Sequence, residues 1–71
     1  MSESTYKVIE LVGTSSESWE KAAANAVATA AKSLKDLRIA EISELDMKID
    51  KGKVAAFRAR VKVSFKYQEK D

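Results

Sequence analysis

The sequence predicts an α+β fold in which a three-stranded antiparallel sheet wraps around one long helix, in the order β-α-β-β. Three observations predict it: an alanine-rich segment with helical spacing, a strand-like segment before it, and two alternating segments after it. The 71 residues suit a single domain over 1–71, and we expect residues 1–4 to be frayed.

The helix is predicted over Trp19–Leu37, about five turns. Apolar residues recur in this segment at steps of three and four, no Gly or Pro interrupts it, and Ala is the best helix former. Because most of the apolar face consists of methyl groups, the helix can approach a sheet closely but buries little area by itself. Ser15, Ser16 and Ser18 are all candidate N-caps, and the sequence leaves the choice open.

Three strands flank this helix. The first is predicted over Thr5–Val12, is apolar on both faces and is ended by Gly13, after which Thr14–Ser18 forms a polar turn. The second strand is predicted over Arg38–Asp50. The third is predicted over Lys53–Tyr67, where apolar and polar side chains alternate, so its apolar set faces the helix.

The turn between the second and third strands fixes how they pair. We expect a three-residue loop, Asp50–Gly52, with Gly in the left-handed conformation. A register shifted by one residue would bury charge, which disfavours it. The expected pairs are Leu45 with Phe57, Met47 with Ala55, and Glu44 with Arg58.

Some features do not fit a lone monomer. Glu41 and Ser43 fall on the apolar side of the second strand, so that strand either bulges or ends its packing there. The outer face keeps Ile42, Val54 and Ala56. A chain of this size has a marginal core, and it has no Cys for disulfides. These features predict that apolar surface is buried between subunits.

Composition narrows the function classes. The net charge is +2 with both signs mixed along the chain, which is not the strong basic excess of a dedicated nucleic-acid binder. There is no His and no Cys, so thiolate and imidazole metal sites and Ser–His or Cys–His nucleophiles are excluded. Only Asp and Glu oxygens remain as metal ligands, and these suit Ca²⁺ or Mg²⁺. We therefore predict that the protein is not an enzyme.

Location is predicted from two further observations. No apolar run approaches the length that spans a membrane, and residues 1–7 contain no apolar core of a signal peptide. We expect a cytoplasmic protein with no membrane partner.

A basic row on the third strand supports a second function class. This row could follow a nucleic-acid backbone, which would make the chain a small nucleic-acid-binding module. Acidic residues on the second strand lie opposite, so the ionic half of a paired sheet is favoured. The row consists of Arg58, Arg60, Lys62 and Lys66.

Four other features have both a structural and a functional interpretation. Trp19 could line a pocket, but packing is favoured for a lone Trp at a helix start. Glu41 is favoured as an ion-pair partner over a metal ligand. Asp50–Gly52 is favoured as a hairpin turn over a phosphate loop, since no helix follows it. Thr14–Ser16 could hold an anion, although capping is the default.

The chain resembles the dodecin family over about Tyr6–Tyr67. The marks of this resemblance are Tyr6–Glu10, Val12–Ser15, Trp19–Ala23 and Val61–Phe65, taken in their order and spacing. Dodecins are small β-α-β-β proteins that assemble as hollow dodecamers. The resemblance implies a non-catalytic cytoplasmic homododecamer that stores or buffers a small ligand.

The typical dodecin ligand is a flavin of the FMN or riboflavin type. It is stacked in pairs between Trp side chains from two-fold-related subunits, and a Gln on the third strand contacts the ring. Here the Trp position falls on Ile39 and the Gln position on Arg58. Ile has no π-face, so a stacking contribution of roughly 1 kcal/mol per aromatic pair is absent. The resemblance therefore implies weak or lost flavin binding at this site.

The segments Ser18–Glu20 and Asp46–Met47 are similar to a branch of dodecin-like proteins that lacks the flavin Trp and includes a calcium-binding member. Ca²⁺ needs several convergent oxygens. Strand alternation would point the nearest acidic cluster to both faces, so one site needs a second subunit or a bulge. The candidate metal ligands are Glu41, Glu44, Asp46 and Asp50.

Overall fold

A computed structural model describes residues 5–67 and contains three strands and one helix in the predicted order. The elements are β1 (Tyr6–Ser15), α1 (Trp19–Ala31), β2 (Leu37–Asp50) and β3 (Lys53–Lys66). All strand pairs are antiparallel, and β3 lies between β1 and β2. The β-α-β-β fold is confirmed, while the expected fraying of residues 1–4 falls outside the described residues.

The core lies between one face of α1 and the middle of β3. Ile9, Leu11, Val27 and Leu37 are partly buried and pack against it. Because every buried side chain is small, the helix lies close to the sheet and the core contributes little apolar area. Besides Gly13, the buried residues within 5–67 are Ala22, Ala26 and Ala30 of the helix, and Ala59, Val61 and Val63 of β3.

Gly13 does not end the first strand, and that prediction was wrong. β1 continues through Gly13, which pairs with Ala59, to Ser15. A Cβ atom at Gly13 would lie 2.0 Å from the backbone oxygen of Ala22 and 2.9 Å from the Cβ of Ala26. The glycine is therefore required by the close approach of the helix, which is the other common reason for Gly inside a strand.

The helix ends at Ala31 and not at Leu37, so the predicted C-terminus was also wrong. The amides of Lys32 and Ser33 bind carbonyls three residues back, which tightens and closes the last turn. The chain then reverses through Asp36, which has a positive φ of 61°, and its carbonyl accepts from the Lys66 amide. The need to start β2 beside β3 thus overrides the helical propensity of the segment.

The β2–β3 turn has two residues, so the predicted three-residue loop was wrong. Lys51 and Gly52 both have positive φ, 53° and 77°, and Asp50 pairs with Lys53. A register shift between Lys48 and Ile49 then follows. Because of this shift, the apolar residues Leu45 and Met47 of β2 pair with apolar residues of β3 and share their face. The faces are as predicted near the core, but the pairs are Leu45 with Ala59, Met47 with Phe57, and Glu44 with Arg60.

A second register shift lies between Ile42 and Glu44, so of the two alternatives expected for β2, a bulge or an end of its packing, the structure shows the bulge, at Ser43. The Ser43 hydroxyl donates to the Arg60 carbonyl at 3.2 Å. The bulge places Ile42 opposite the buried Val61, on the helix side. The expectation that Ile42 lies on the outer face was therefore wrong. It was also wrong for Val54, because the shift between Lys48 and Ile49 places Val54 opposite Ile49, on the helix side.

β2 is the least protected element, since every residue after Leu37 is exposed. Several large apolar side chains on it face solvent, with Ile39 at 66% exposure and Ile49 at 60%. Across residues 5–67, no helix is long and apolar enough to cross a membrane.

Candidate functional site

The outer face of the sheet, opposite the helix, holds an ordered array of charges. The Ser43 bulge turns Glu41 onto the same face as Glu44 and Asp46. Each acid then lies directly opposite a base of β3, so the row predicted from the sequence is the basic half of an ionic surface. The cross-strand pairs are Glu41 with Lys62, Glu44 with Arg60, and Asp46 with Arg58.

Asp46 and Arg58 form the best-defined ion pair. Arg58 donates from Nε to Asp46 Oδ1 at 2.7 Å and from Nη2 to Oδ2 at 2.8 Å, a bidentate arrangement. Hydrogen bonding from Arg58 lowers the pKa of Asp46 below its ordinary value, and the same bond raises the pKa of Arg58. The predicted pairing of Glu44 with Arg58 was wrong because the register is shifted by two residues.

Arg60 links both edge strands. Its Nε donates to Glu44 of β2 at 3.2 Å, and its Nη1 lies 4.0 Å from Glu10 of β1. All three side chains are partly exposed, so each pair contributes at most about 1 kcal/mol. Their effect is to neutralise a guanidinium that would otherwise be available to an anionic ligand.

The four candidate metal ligands share one face of β2 but do not converge. Glu41 and Asp46 lie opposite Lys62 and Arg58, which are four residues apart on β3. This separation is roughly 13 Å along a strand. Within residues 5–67 of one chain, no three Asp or Glu side chains are close enough together to hold a metal ion. Glu44 and Asp46 are already bound to guanidinium groups. These residues therefore stay a prediction, and a site built from them needs ligands from a second chain.

Ile39 lines a small cavity at one end of β2. This cavity of about 160 Å³ lies between Val27 of the helix and the first residues of β2. Ile39 itself projects from the outer face, opposite Ser64. The cavity is lined by Val27, Leu37, Arg38, Ile39, Ala40 and Val63.

The two positions that match the flavin site of the family do not meet within one chain. Ile39 lies opposite Ser64, while Arg58 lies six residues away along β3, or roughly 20 Å. Arg58 is also held by Asp46. A pocket that uses both positions requires two chains, and their assignment to a ligand site stays a prediction.

A larger cavity of about 330 Å³ lies between β1 and α1. Asn25 and Thr14 both line it, and Asn25 links the helix to β1 by donating from Nδ2 to the Thr14 carbonyl at 3.0 Å. Two nearby hydroxyls bind backbone amides: Ser15 Oγ accepts from the Glu17 amide in the turn before the helix, and Ser18 Oγ accepts from the Lys21 amide inside the helix. Ser18 is thus the N-cap, a choice that the sequence left open.

Trp19 packs against the sheet, as predicted. Its ring meets Phe57 edge-on, with centroids 5.1 Å apart. Its Nε1 also donates to the backbone oxygen of Asp46 at 3.0 Å. This bond was not predictable from the sequence, because it joins a helix residue to the backbone of a strand residue 27 positions later.

Comparison with known proteins adds to this geometry. Residues 5–68 match the sequence profile of the family described as Dodecin. This chain belongs to the dodecin family.

Related proteins span nearly the whole chain. A protein named calcium dodecin, from Mycobacterium tuberculosis, is 48% identical over 63 residues, which are 89% of each chain. The crystal structure of that calcium-chelating antigen, described with a novel calcium-binding site, has a TM-score of 0.82 at 46% identity and covers 96% of this chain and 97% of its own. The dodecin from Streptomyces coelicolor has a TM-score of 0.91 at 36% identity and covers 99% of this chain and 100% of its own.

Proposed function

We propose that this protein is a non-catalytic homo-oligomer, a dodecamer by family resemblance, that binds or stores a small ligand. Membership of the dodecin family supports this function. The observation that carries the proposal is the exposure of the apolar side chains of β2, in a chain whose buried side chains within residues 5–67 are all Ala or Val. A cytoplasmic location remains a prediction from the sequence.

Self-association supplies what the single chain lacks. Ile39, Leu45 and Ile49 are each more than half exposed. Covering a large aliphatic side chain stabilises by about 1.5–3 kcal/mol when burial is complete. Since the chain has no Cys for disulfides, contact between copies is the available source of added stability.

Flavin binding at the inherited position is proposed to be weak or lost. Ile39 occupies that position and offers no aromatic face. Arg58, at the other matching position, has its guanidinium bound to Asp46. Ile39 therefore supplies no aromatic stacking surface for a paired flavin. At the other position, Asp46 already uses the Nε and Nη2 donors of Arg58.

Calcium is the second candidate ligand. It is favoured by the 48% identity to a relative named calcium dodecin and by the shared face of β2 on which the Ser43 bulge places Glu41 with Glu44 and Asp46. Glu41 and Asp50 are acidic residues of this face, and the structure pairs neither of them with Arg. Carboxylates from two chains could then satisfy the six to eight oxygens that Ca²⁺ prefers.

Nucleic-acid binding is the less favoured alternative. Arg58 and Arg60 are the two arginines of the basic row, and both are paired with acids of neighbouring strands. Binding a phosphate backbone would first require breaking these pairs. A steep loss of binding with salt is the behaviour that would support this alternative.

The proposed function is tested by the native mass of the protein in solution. Twelve chains of 7.8 kDa give about 94 kDa, which light scattering separates clearly from a monomer. The same peak is then titrated with FMN and with Ca²⁺. An oligomer with little flavin quenching supports the proposal, while a stable monomer contradicts it.

A further inference from the structure

The cavity of about 160 Å³ at the start of β2 lies on the helix side of the sheet. Ala40 lines it from β2 and lies opposite the buried Val63 of β3, which belongs to the core. Val27 lines it from the helix. Ile39, at the inherited flavin position, also contributes to the lining, but it lies opposite Ser64 on the outer face. The cavity is therefore separate from the outer surface where the family resemblance places flavin.

The lining of this cavity is aliphatic except for one residue. Val63 is buried, and Val27 and Leu37 are partly buried and pack against the core, so packing fixes these walls. An apolar cavity of about 150 Å³ in another protein binds benzene. A cavity of about 160 Å³ therefore accommodates an apolar body of about six carbon atoms. The apolar lining residues are Val27, Leu37, Ile39, Ala40 and Val63.

Arg38 is the sixth lining residue and the only charged one. Within residues 5–67, no Asp or Glu forms an ion pair with it. The other two arginines of the chain, Arg58 and Arg60, are both bound to acids of β2. A guanidinium keeps its positive charge at physiological pH and binds carboxylates and phosphates through paired donors. Arg38 is therefore the arginine that remains available to an anionic ligand.

We propose that this cavity binds a small anion, a carboxylate or a phosphate, that carries an apolar body of about six carbon atoms, and that Arg38 binds the anionic group. This inference rests on the proposed small-ligand function and names the class of ligand. Burial of the body against the aliphatic lining supplies affinity, and the guanidinium selects for negative charge. None of the six lining residues is aromatic, so stacking does not favour a flavin here. Since all six belong to one chain, the site does not depend on assembly.

The ligand class is tested by titrating the full-length protein with hexanoate at constant ionic strength and following its methyl NMR signals. We expect the methyl signals of Val27 and Val63 to shift, and those of Val54, beside the hairpin turn, to stay in place. Acetate lacks most of the apolar body and should bind roughly 10-fold more weakly or worse. Hexanol lacks the charge and should be weakened by a similar factor. Hexyl phosphate distinguishes the two sources of the anion, and tighter binding of either anion than of hexanol supports the proposal.

The role of Arg38 is tested with Arg38→Gln, which removes the charge and keeps a long polar side chain. We expect hexanoate affinity to fall roughly 10-fold while hexanol affinity changes by less than about 2-fold, which a general loss of structure would not produce. Lys35→Gln is the matched control, since Lys35 is an exposed cation near Arg38 in sequence that does not line the cavity. Its hexanoate affinity should stay within about 2-fold. Equal weakening by the two substitutions would indicate unspecific attraction of anions and overturn the role of Arg38.

The cavity itself is tested with Ala40→Leu, which fills it from an exposed position. We expect hexanoate and hexanol to lose affinity together, by roughly 10-fold. Ala28→Leu is the control, because Ala28 is exposed on the helix and does not line the cavity. Where Ala40→Leu does not fold, Ala40→Val replaces it with the same expected direction. Unchanged hexanoate affinity in a folded Ala40 variant would place the ligand elsewhere and overturn the proposal.

The outcomes separate this inference from the proposed function. An oligomer in which hexanoate does not shift the Val27 and Val63 methyl signals overturns the anion site and leaves the oligomer standing. A monomer that binds hexanoate through Arg38 supports the inference and contradicts the proposed homo-oligomer. A monomer without hexanoate binding overturns both.

Discussion

Gly13 and Ala22 approach each other so closely that the glycine has no room for a side chain. A Cβ at Gly13 would lie 2.0 Å from the Ala22 backbone oxygen, which belongs to the first half of the helix. The contact sets the distance between helix and sheet, and the alanine stripe on the helix makes that distance short. The close packing of the small core therefore depends on this one position.

Gly13→Ala should destabilise the protein strongly. The added methyl group must displace helix backbone, and overpacking of this kind costs about 1–3 kcal/mol or more. Urea denaturation measures this loss as a decrease in the free energy of unfolding.

Gly52→Ala is the matched control for Gly13→Ala. It introduces the same atom where nothing lies within 4 Å, although the φ of +77° still costs about 1 kcal/mol. A larger loss for Gly52→Ala than for Gly13→Ala would contradict the close-approach argument.

The β-turn offers a stabilising change. Lys51 has a φ of 53°, and a two-residue turn with two positive φ angles favours Asn-Gly. Lys51→Asn should therefore raise the free energy of unfolding by a few tenths to about 1 kcal/mol. Thermal unfolding at fixed protein concentration measures it, with Lys53→Asn in the adjoining strand as a control that should not stabilise.

The Asp46–Arg58 pair makes a prediction about pH. The Arg58 hydrogen bond lowers the pKa of Asp46 in the folded protein, so this group contributes stability that is present above the unfolded pKa of about 3.9. That contribution is lost as the pH falls through the lower folded pKa. In Arg58→Gln, the pKa of Asp46 should rise toward its ordinary value. Carbon-detected NMR titration measures it, and Lys62→Gln should leave it unchanged.

Much of the fold follows from periodicity alone. The alanine spacing of the helix and the alternation of β3 each encode a face, so both elements and the core side of β3 were predictable. The helix end at Ala31 and the register near Leu45 were not, because each depends on contacts made after the chain folds back. A Gly facing an alanine stripe was a usable signal for the close approach at Gly13.

The candidate site was predictable only in part. Their carboxylates made Glu41 and Asp46 candidate metal ligands. The family resemblance placed Ile39 and Arg58 at the positions of the flavin site. Which acids share a face depended on the Ser43 bulge, which the sequence offered near Glu41 and Ser43 only as one of two alternatives. No single-chain pattern can show whether residues roughly 20 Å apart meet across an interface.

Calcium should stabilise the protein if the acidic face of β2 binds it. A ligand present at 100 times its dissociation constant stabilises by about 2.7 kcal/mol, and Mg²⁺ should reproduce little of this because it prefers a tighter octahedral shell. Thermal unfolding with each ion measures it. The double variant Glu41→Gln, Asp50→Asn should reduce the calcium shift, whereas Glu17→Gln, Glu20→Gln at the helix start should retain it.

Ile39→Trp should raise flavin affinity if Ile39 occupies the inherited flavin position. The substitution restores an aromatic face where stacking contributes about 0.5–1.5 kcal/mol per pair, and two-fold symmetry would supply two such faces. We therefore expect FMN to bind roughly 5–100-fold more tightly, measured by quenching of FMN fluorescence. Val8→Trp is the matched control, because Val8 and Ile39 flank Ser64 from opposite sides of the same sheet face. Equal gains for the two variants would indicate unspecific stacking on exposed Trp, and no gain in a correctly assembled Ile39→Trp protein would remove Ile39 from the site.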